Sequence, residues 1–364
     1  MNKLTKLLFS VISSVAIATS AFAGELTVTG SAKATYTILS NNGTAGTHGL
    51  GKGLGIANEF SLTASGELDN GMTWSYAQDI DGATVQDDAS MSLGTDYGTF
   101  KVCISECGLS TKYAFDNSAY GVGSDTGYGG GSTSSGASAN TMQYGANINS
   151  YNNVQYHAPA DLLPFGMTFK YAITPAGASS GVNDSVHAVQ GNAGTQPGDM
   201  TQMAATVTPI DGFTISASYY DFDELGTKNS KQTAEGGSLA GNYSYGNLSV
   251  GYGQTRHVPN LRTGQSKTAA HTKGYENEAY SIGWAVNDSL SVSYTNEEST
   301  RIKAYDNLAG VRQDSNTTME IDTIDLSYTV GGATIGLSQS ETSLDSYTTG
   351  DEVTETILAV SMAF

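Results

Sequence analysis

Leu26-Thr27-Val28-Thr29-Gly30-Ser31-Ala32-Lys33-Ala34-Thr35-Tyr36-Thr37-Ile38 is the stretch whose reading decides the fold. Leu26, Val28, Gly30, Ala32, Ala34, Tyr36 and Ile38 alternate with Thr27, Thr29, Ser31, Lys33, Thr35 and Thr37. A period of two means a β-strand with one oily and one wet face. A strand of this length suits a tilted bilayer crossing better than the run of about five or six residues usual in soluble sheets.

Working outward, the alternation returns at Phe60, Leu62, Ala64 and Leu68, and again after Asp69-Asn70-Gly71 at Met72, Trp74 and Tyr76. An Asn-Gly between two alternating runs is a strong hairpin signal. Further turns fall at Gly94 to Gly98, Pro209-Ile210-Asp211-Gly212, Gly246-Asn247, Asn287-Asp288 and Gly331-Gly332. The spacing predicts sixteen strands, near 26–38, 56–68, 72–80, 88–94, 99–105, 153–158, 165–173, 201–208, 213–220, 237–245, 248–254, 276–286, 289–295, 318–330, 333–340 and 353–364. Seven short turns interleave with eight longer polar loops. That is the plan of an all-β, transmembrane antiparallel β-barrel with short periplasmic turns and long extracellular loops. Aromatic residues toward strand ends, Trp74 with Tyr76, Trp284 with Tyr294, and Tyr219, suit interfacial girdles.

Lys3 and Lys6, an apolar stretch from Leu7 to Ala18, and Ala21-Phe22-Ala23 before Gly24 read as a secretory signal peptide over 1–23, leaving 24–364 as the barrel. Its removal takes away two lysines and no acid, so the formal charge moves from −19 to −21. So acidic a chain excludes a nucleic-acid partner and favours cations at its surface. Beyond the leader no run approaches the roughly 20 apolar residues of a membrane helix, and a closed barrel is the other structure that satisfies its backbone in hydrocarbon. With 44 Gly, 21 Tyr, 6 Pro and 2 Cys, the composition suits many extended strands.

The ending Thr356-Ile357-Leu358-Ala359-Val360-Ser361-Met362-Ala363-Phe364 resembles the last strand of Gram-negative outer-membrane proteins. The runs Met91 to Val102, Asn152 to Pro159 and Phe165 to Tyr171 resemble the segments flanking the constriction loop of general diffusion porins, especially the alphaproteobacterial type. That resemblance implies a sixteen-stranded homotrimer in the cell outer membrane, contacting lipid and lipopolysaccharide. It implies a third long loop folded into the lumen, and Phe364 read by the barrel-assembly machinery. The implied activity is passive diffusion of small polar solutes and ions, without a cofactor.

The connection from Glu106 to Asn152 is the candidate constriction loop; its middle, Gly121 to Gly136, is rich in Gly and Ser, and its acids include Glu106, Asp116 and Asp125. Parity sets Lys33, Lys101 and Lys170 on the lumen face, together with Glu59, Glu67, Asp79, Asp88, Asp325 and Glu355. In the resembled family a basic wall faces acids on the inner loop. Lys33 and Lys101 are the positions expected to match that wall, with Lys170 third. The family shows several arginines where this chain has few lysines, so the acidic excess points to weak cation preference. Any one of these charges is also readable as a hydrated lumen residue without individual effect.

Cys103 and Cys107 share strand parity, which sets them about 13 Å apart if the chain stays extended, too far for a bond. A bridge requires the strand to end and turn at Ser105-Glu106; export to an oxidising compartment favours it, and two free thiols are the alternative. Asp221, Asp223 and Glu224, or Glu297 with Glu298, are weak calcium candidates beside the more ordinary reading of solvated loops. His48, His187, His257 and His271 fall in loops of low pattern, His157 faces the lumen, and no nucleophile elbow, phosphate loop or dinucleotide fingerprint is present, which argues against an enzyme. The rival functions are a substrate-specific channel and a structural or adhesion barrel with a plugged lumen.

Overall fold

The computed structural model describes residues 25–41, 51–81, 84–109, 145–174, 200–222, 230–232, 234–259, 261–262, 271–306, 312–344, 347 and 352–363. The expected leader and Phe364 lie outside them. Among the described residues eighteen strands occur. They are β1 (Glu25–Asn41), β2 (Gly51–Glu67), β3 (Thr73–Asp81), β4 (Thr84–Thr95), β5 (Gly98–Ile104), β6 (Asn153–His157), β7 (Thr168–Ile173), β8 (Met200–Ile210) and β9 (Phe213–Phe222). They continue with β10 (Ser230–Gln232), β11 (Glu235–Tyr245), β12 (Leu248–Val258), β13 (Leu261–Arg262), β14 (His271–Ala285), β15 (Leu290–Asp306), β16 (Arg312–Val330), β17 (Ala333–Ser343) and β18 (Glu352–Ala363). Sixteen of them close into one antiparallel barrel, while β10 and β13 pair only with each other. Closure joins β1 to β18, with Ser31 opposite Ala363 and Lys33 opposite Ser361. A closed ring leaves no unpaired edge, which is the condition for a sheet to sit in hydrocarbon.

Every strand read from the sequence corresponds to one barrel strand, but several run further than the alternation did. β14 begins at His271, β15 continues to Asp306 and β16 begins at Arg312. Beyond the apolar strip the outward face also turns polar, as at Glu278, Glu298, Glu320 and Asp322, so the period of two fades while the ladder continues. His257 therefore lies in β12, and His271 opens β14, rather than in loops. Not every connection on the long-loop side is long, because β3 ends at Asp81 and β4 starts at Thr84.

The turns explain the register. Gly71 takes φ 81° after Asn70, whose side-chain Oδ1 accepts from the Met72 amide at 3.1 Å. Gly98 takes φ 118°, and a Cβ there would sit 2.5 Å from the His157 carbonyl oxygen. The connection from β6 to β7 is the long one on the short-turn side, built from two 3-10 turns, Ala160–Leu162 and Pro164–Gly166, with Phe165 at φ 56°.

The barrel has no single apolar core. Its large apolar residues are displayed outward instead: Leu26, Leu54, Ile56, Met91, Ile324, Leu358 and Met362 are all exposed. A contiguous band of this kind in a closed barrel is the lipid-facing surface. At its upper limit tyrosines keep their rings in the band and pass their hydroxyls to polar neighbours, Tyr252 to Glu278 at 3.2 Å and Tyr219 to Glu235 at 3.2 Å. Among the described residues no helix is long and apolar enough to cross a membrane.

Candidate lumen site and the root of the inner connection

The inward face is the reverse of the outward one. Thr35, Thr37, Thr255, Asn277, Ser281, Ser293, Thr295, Thr323, Ser338 and Ser340 line it, buried and polar. Thr37 Oγ1, Ser338 Oγ and Glu355 Oε2 are buried and have no hydrogen-bond partner among the described residues. Such groups, a carboxylate above all, are stable only where the interior is wet.

Three strands carry a basic sector. On the inner face of β5, Lys101 stands opposite Gln155 of β6; one step along β6, His157 stands opposite Lys170 of β7. Same-face neighbours of this kind approach within about 5–8 Å. Gln155 ties the sector together: its Oε1 meets His157 Nε2 at 2.8 Å, and its Nε2 donates to Asn153 Oδ1 at 2.9 Å and to the Cys107 carbonyl.

That last bond anchors the root of the long connection. Cys103, the last inward residue of β5, is disulfide-bonded to Cys107, with Cα atoms 6.1 Å apart. The chain is not extended there, because Ser105 at φ 51° and Cys107 at φ 67° turn it back. Asn153 Nδ2 donates to the Glu106 carbonyl at 3.1 Å, the Leu109 amide donates to Asn147 Oδ1 at 3.1 Å, and the Ile148 amide donates to Gln202 Oε1 at 2.7 Å. Leu109 and Ile148 pack with Ala172, Met200, Tyr220 and Phe222, inward residues of β7, β8 and β9. Both ends of the connection therefore lie against the lumen wall. Burial pushes the Tyr151 phenol up, beside the same cluster.

The acids and the other candidates distribute as follows. In the sixteen-membered ring β5 lies eight strands from β15, and β6 eight from β16. Glu297 of β15, Asp325 of β16 and Glu355 of β18, all buried on the inner side, thus occupy the wall across from Lys101, His157 and Lys170. Asp79 faces inward, accepts from Ser61 Oγ and stands opposite Asp88. Glu67 is exposed at the end of β2, and Glu59 is paired in register with Asp81. Lys33, on β1 between Ser361 and Ala57, belongs to a different sector from Lys101 and Lys170. Asp116, Asp125, Asp223 and Glu224 lie outside the described residues. Asp221 accepts from Thr201 Oγ1. Glu297 and Glu298 are consecutive in β15 and point to opposite faces, so they do not converge on one ion. Among the described residues no group of three or more His, Cys, Asp or Glu is arranged to hold a metal.

One cluster escaped the sequence reading. The His257 ring stacks on Tyr275 at 4.9 Å, Tyr275 meets Tyr347 at 5.6 Å, and Arg301 lies over the Tyr347 ring at 4.8 Å while donating to its carbonyl at 3.0 Å. Ser299 and Tyr347 share a hydroxyl contact of 2.5 Å. These residues hold the start of the β17–β18 connection against the inner wall of β14 to β16. Longer strand assignments past Gln254 would have placed His257; nothing in the sequence marks Tyr347.

A family model described as Gram-negative porin matches residues 8–317. None of the curated proteins compared with the chain matches it by sequence. Solved structures share the fold at low identity. A porin refined at high resolution is 14% identical with a TM-score of 0.59, covering 93% of this chain and 100% of that one. The outer-membrane protein OmpT of Vibrio cholerae is 10% identical with a TM-score of 0.60, covering 96% and 100%. A porin variant from Rh. blastica is 13% identical with a TM-score of 0.52, covering 93% and 100%.

Proposed function

The chain belongs to the Gram-negative porin family, and from that premise we propose that it is a passive diffusion channel for small hydrophilic solutes and ions, weakly selective for cations. It is an outer-membrane β-barrel, and fold and family alike point to a channel rather than an enzyme. The observation that carries the proposal is the segregation of faces around a closed ring, with Leu358, Val360 and Met362 exposed outward on β18 while Glu355 between them and the rim is buried inward.

Passage of a polar solute through such a lumen needs no chemical step. The solute exchanges bulk water for water held by Thr, Ser and Asn hydroxyls and amides, and it passes between a basic sector on β5–β7 and acids on β15–β18. The transverse field between them orients water and dipolar solutes and sorts ions by sign. Acids at the upper, outward ends of the strands, including Glu276, Glu278 and Glu320, together with the formal charge of −19, enrich cations at the mouth. The connection from Glu106 to Asn152 forms the constriction, supported by the packing of both its ends on the inner wall. Assembly as a homotrimer, contact with lipopolysaccharide and recognition of Phe364 by the assembly machinery complete the proposal.

Planar bilayers with a salt gradient test it. Purified folded protein should give ohmic steps with a reversal potential on the cation side. Silent membranes, or a reversal potential on the anion side, overturn the corresponding half of the reading.

A further inference from the structure

We propose that the Cys103–Cys107 bridge is a thiol-exchange site inside the pore, at which a low-molecular-weight thiol entering the lumen attacks the Cys107 sulfur and releases the root of the inner connection. The inference rests on the lumen being open to small solutes.

Three observations carry it. The first is position: the chain has two cysteines, and their bond closes the five-residue turn by which β5 hands over to the inner connection. The second is unequal access. Cys103 is completely buried, whereas Cys107 is partly exposed. An incoming thiolate therefore meets the Cys107 sulfur, and Cys103 is the leaving group. Lys101 stands two residues before Cys103 on the same face of β5, so its ammonium stabilises the departing thiolate.

The third is what the bond restrains. Ser105 and Cys107 are held in the left-handed region, at φ 51° and 67°, which is unfavourable for a non-glycine residue. Opening the bridge lets both return to ordinary backbone. That motion pulls the Cys107 carbonyl from Gln155 and the Glu106 carbonyl from Asn153, and it draws on Leu109, whose side chain is buried among Ile148, Met200 and Tyr220. The Glu106 carboxylate then moves relative to Lys101, changing both the width and the charge of the passage.

The chemistry balances with two equivalents of thiol. The first thiolate forms a mixed disulfide with Cys107, and Cys103 leaves as a thiolate that takes up a proton. The second thiol attacks the external sulfur of the mixed disulfide and departs as the small-molecule disulfide, leaving two protein thiols. Two electrons and two protons pass from the external thiols to the bridge.

Reduced glutathione is the probe, applied to folded protein in detergent and in planar bilayers. Intact mass should show one glutathione on Cys107, then two alkylatable thiols, and the single-channel conductance should change by roughly 1.5-fold or more and return on reoxidation. The double variant Cys103→Ser, Cys107→Ser should show the reduced conductance without any thiol present. Cysteines that remain unmodified until the barrel is denatured overturn the site. Exchange by mass with conductance and reversal potential unmoved, in both the treated protein and the double variant, overturns its effect on the pore. A folded protein that is silent before treatment counts against the channel reading instead, and the mass measurement still decides the exchange.

Discussion

At the scale of single residues, charge in the lumen and space at the turns make separable predictions. Lys101 and Lys170 share one sector with a partly buried His157, so replacing both lysines by Ala removes positive charge where ions pass closest to the wall. The cation-to-anion permeability ratio should rise by about twofold or more, read from the reversal potential in a salt gradient. An unmoved potential would place the constriction elsewhere. Gly98 is fixed by its neighbours: at φ 118° a Cβ would collide with the His157 carbonyl at 2.5 Å and the Tyr156 ring at 2.8 Å. Gly98→Ala should cost about 2–3 kcal/mol, whereas Gly71→Ala, with nothing within 4 Å, should cost about 1 kcal/mol. Urea midpoints of detergent-folded protein compare the two, and equal losses would contradict the close approach.

At the scale of the strand, alternation decides which substitutions the bilayer feels. Leu358 stands outward on β18 directly opposite Leu337 of β17, in the apolar band. Leu358→Arg should cost about 2–4 kcal/mol of folding free energy in lipid, while Ser75→Arg on the inward face of β3 should fold normally and shift selectivity instead. Equal folding defects would mean that the faces have been assigned wrongly. The same alternation made all sixteen strands legible, because lipid on one side and water on the other impose a period of two for as long as both media are present. Where β15 and β16 rise past the apolar strip both faces are polar, the contrast disappears, and sequence reading stopped short of Asp306 and Arg312. The lumen face of Lys101 and Lys170 was legible by parity. The turn at Ser105-Glu106 was legible as what a bridge between Cys103 and Cys107 requires, but its left-handed backbone was not, since Ser105 carries no sequence signal of the kind a glycine would give. Nor was the contact of Ser299 with Tyr347, residues 48 apart that meet where the β17–β18 connection turns onto the inner wall.

At the scale of the molecule, closure of β1 on β18 converts a row of amphipathic strands into a lipid-facing cylinder around a polar interior. The acidic excess of the chain, −19 overall, acts on ions over distances set by screening, so cation preference should weaken between 0.1 M and 1 M salt as the Debye length falls from about 10 Å to about 3 Å. A preference independent of salt would locate selectivity in a specific binding site rather than in the general field. The central claim, a passive aqueous lumen, is tested most directly by swelling of liposomes that contain the folded protein, in isotonic solutions of neutral sugars of increasing size. Swelling rates that fall smoothly with solute size and rise in proportion to concentration are predicted. No swelling with any sugar, from barrels shown by their strand spectrum and protease resistance to be folded, would contradict it.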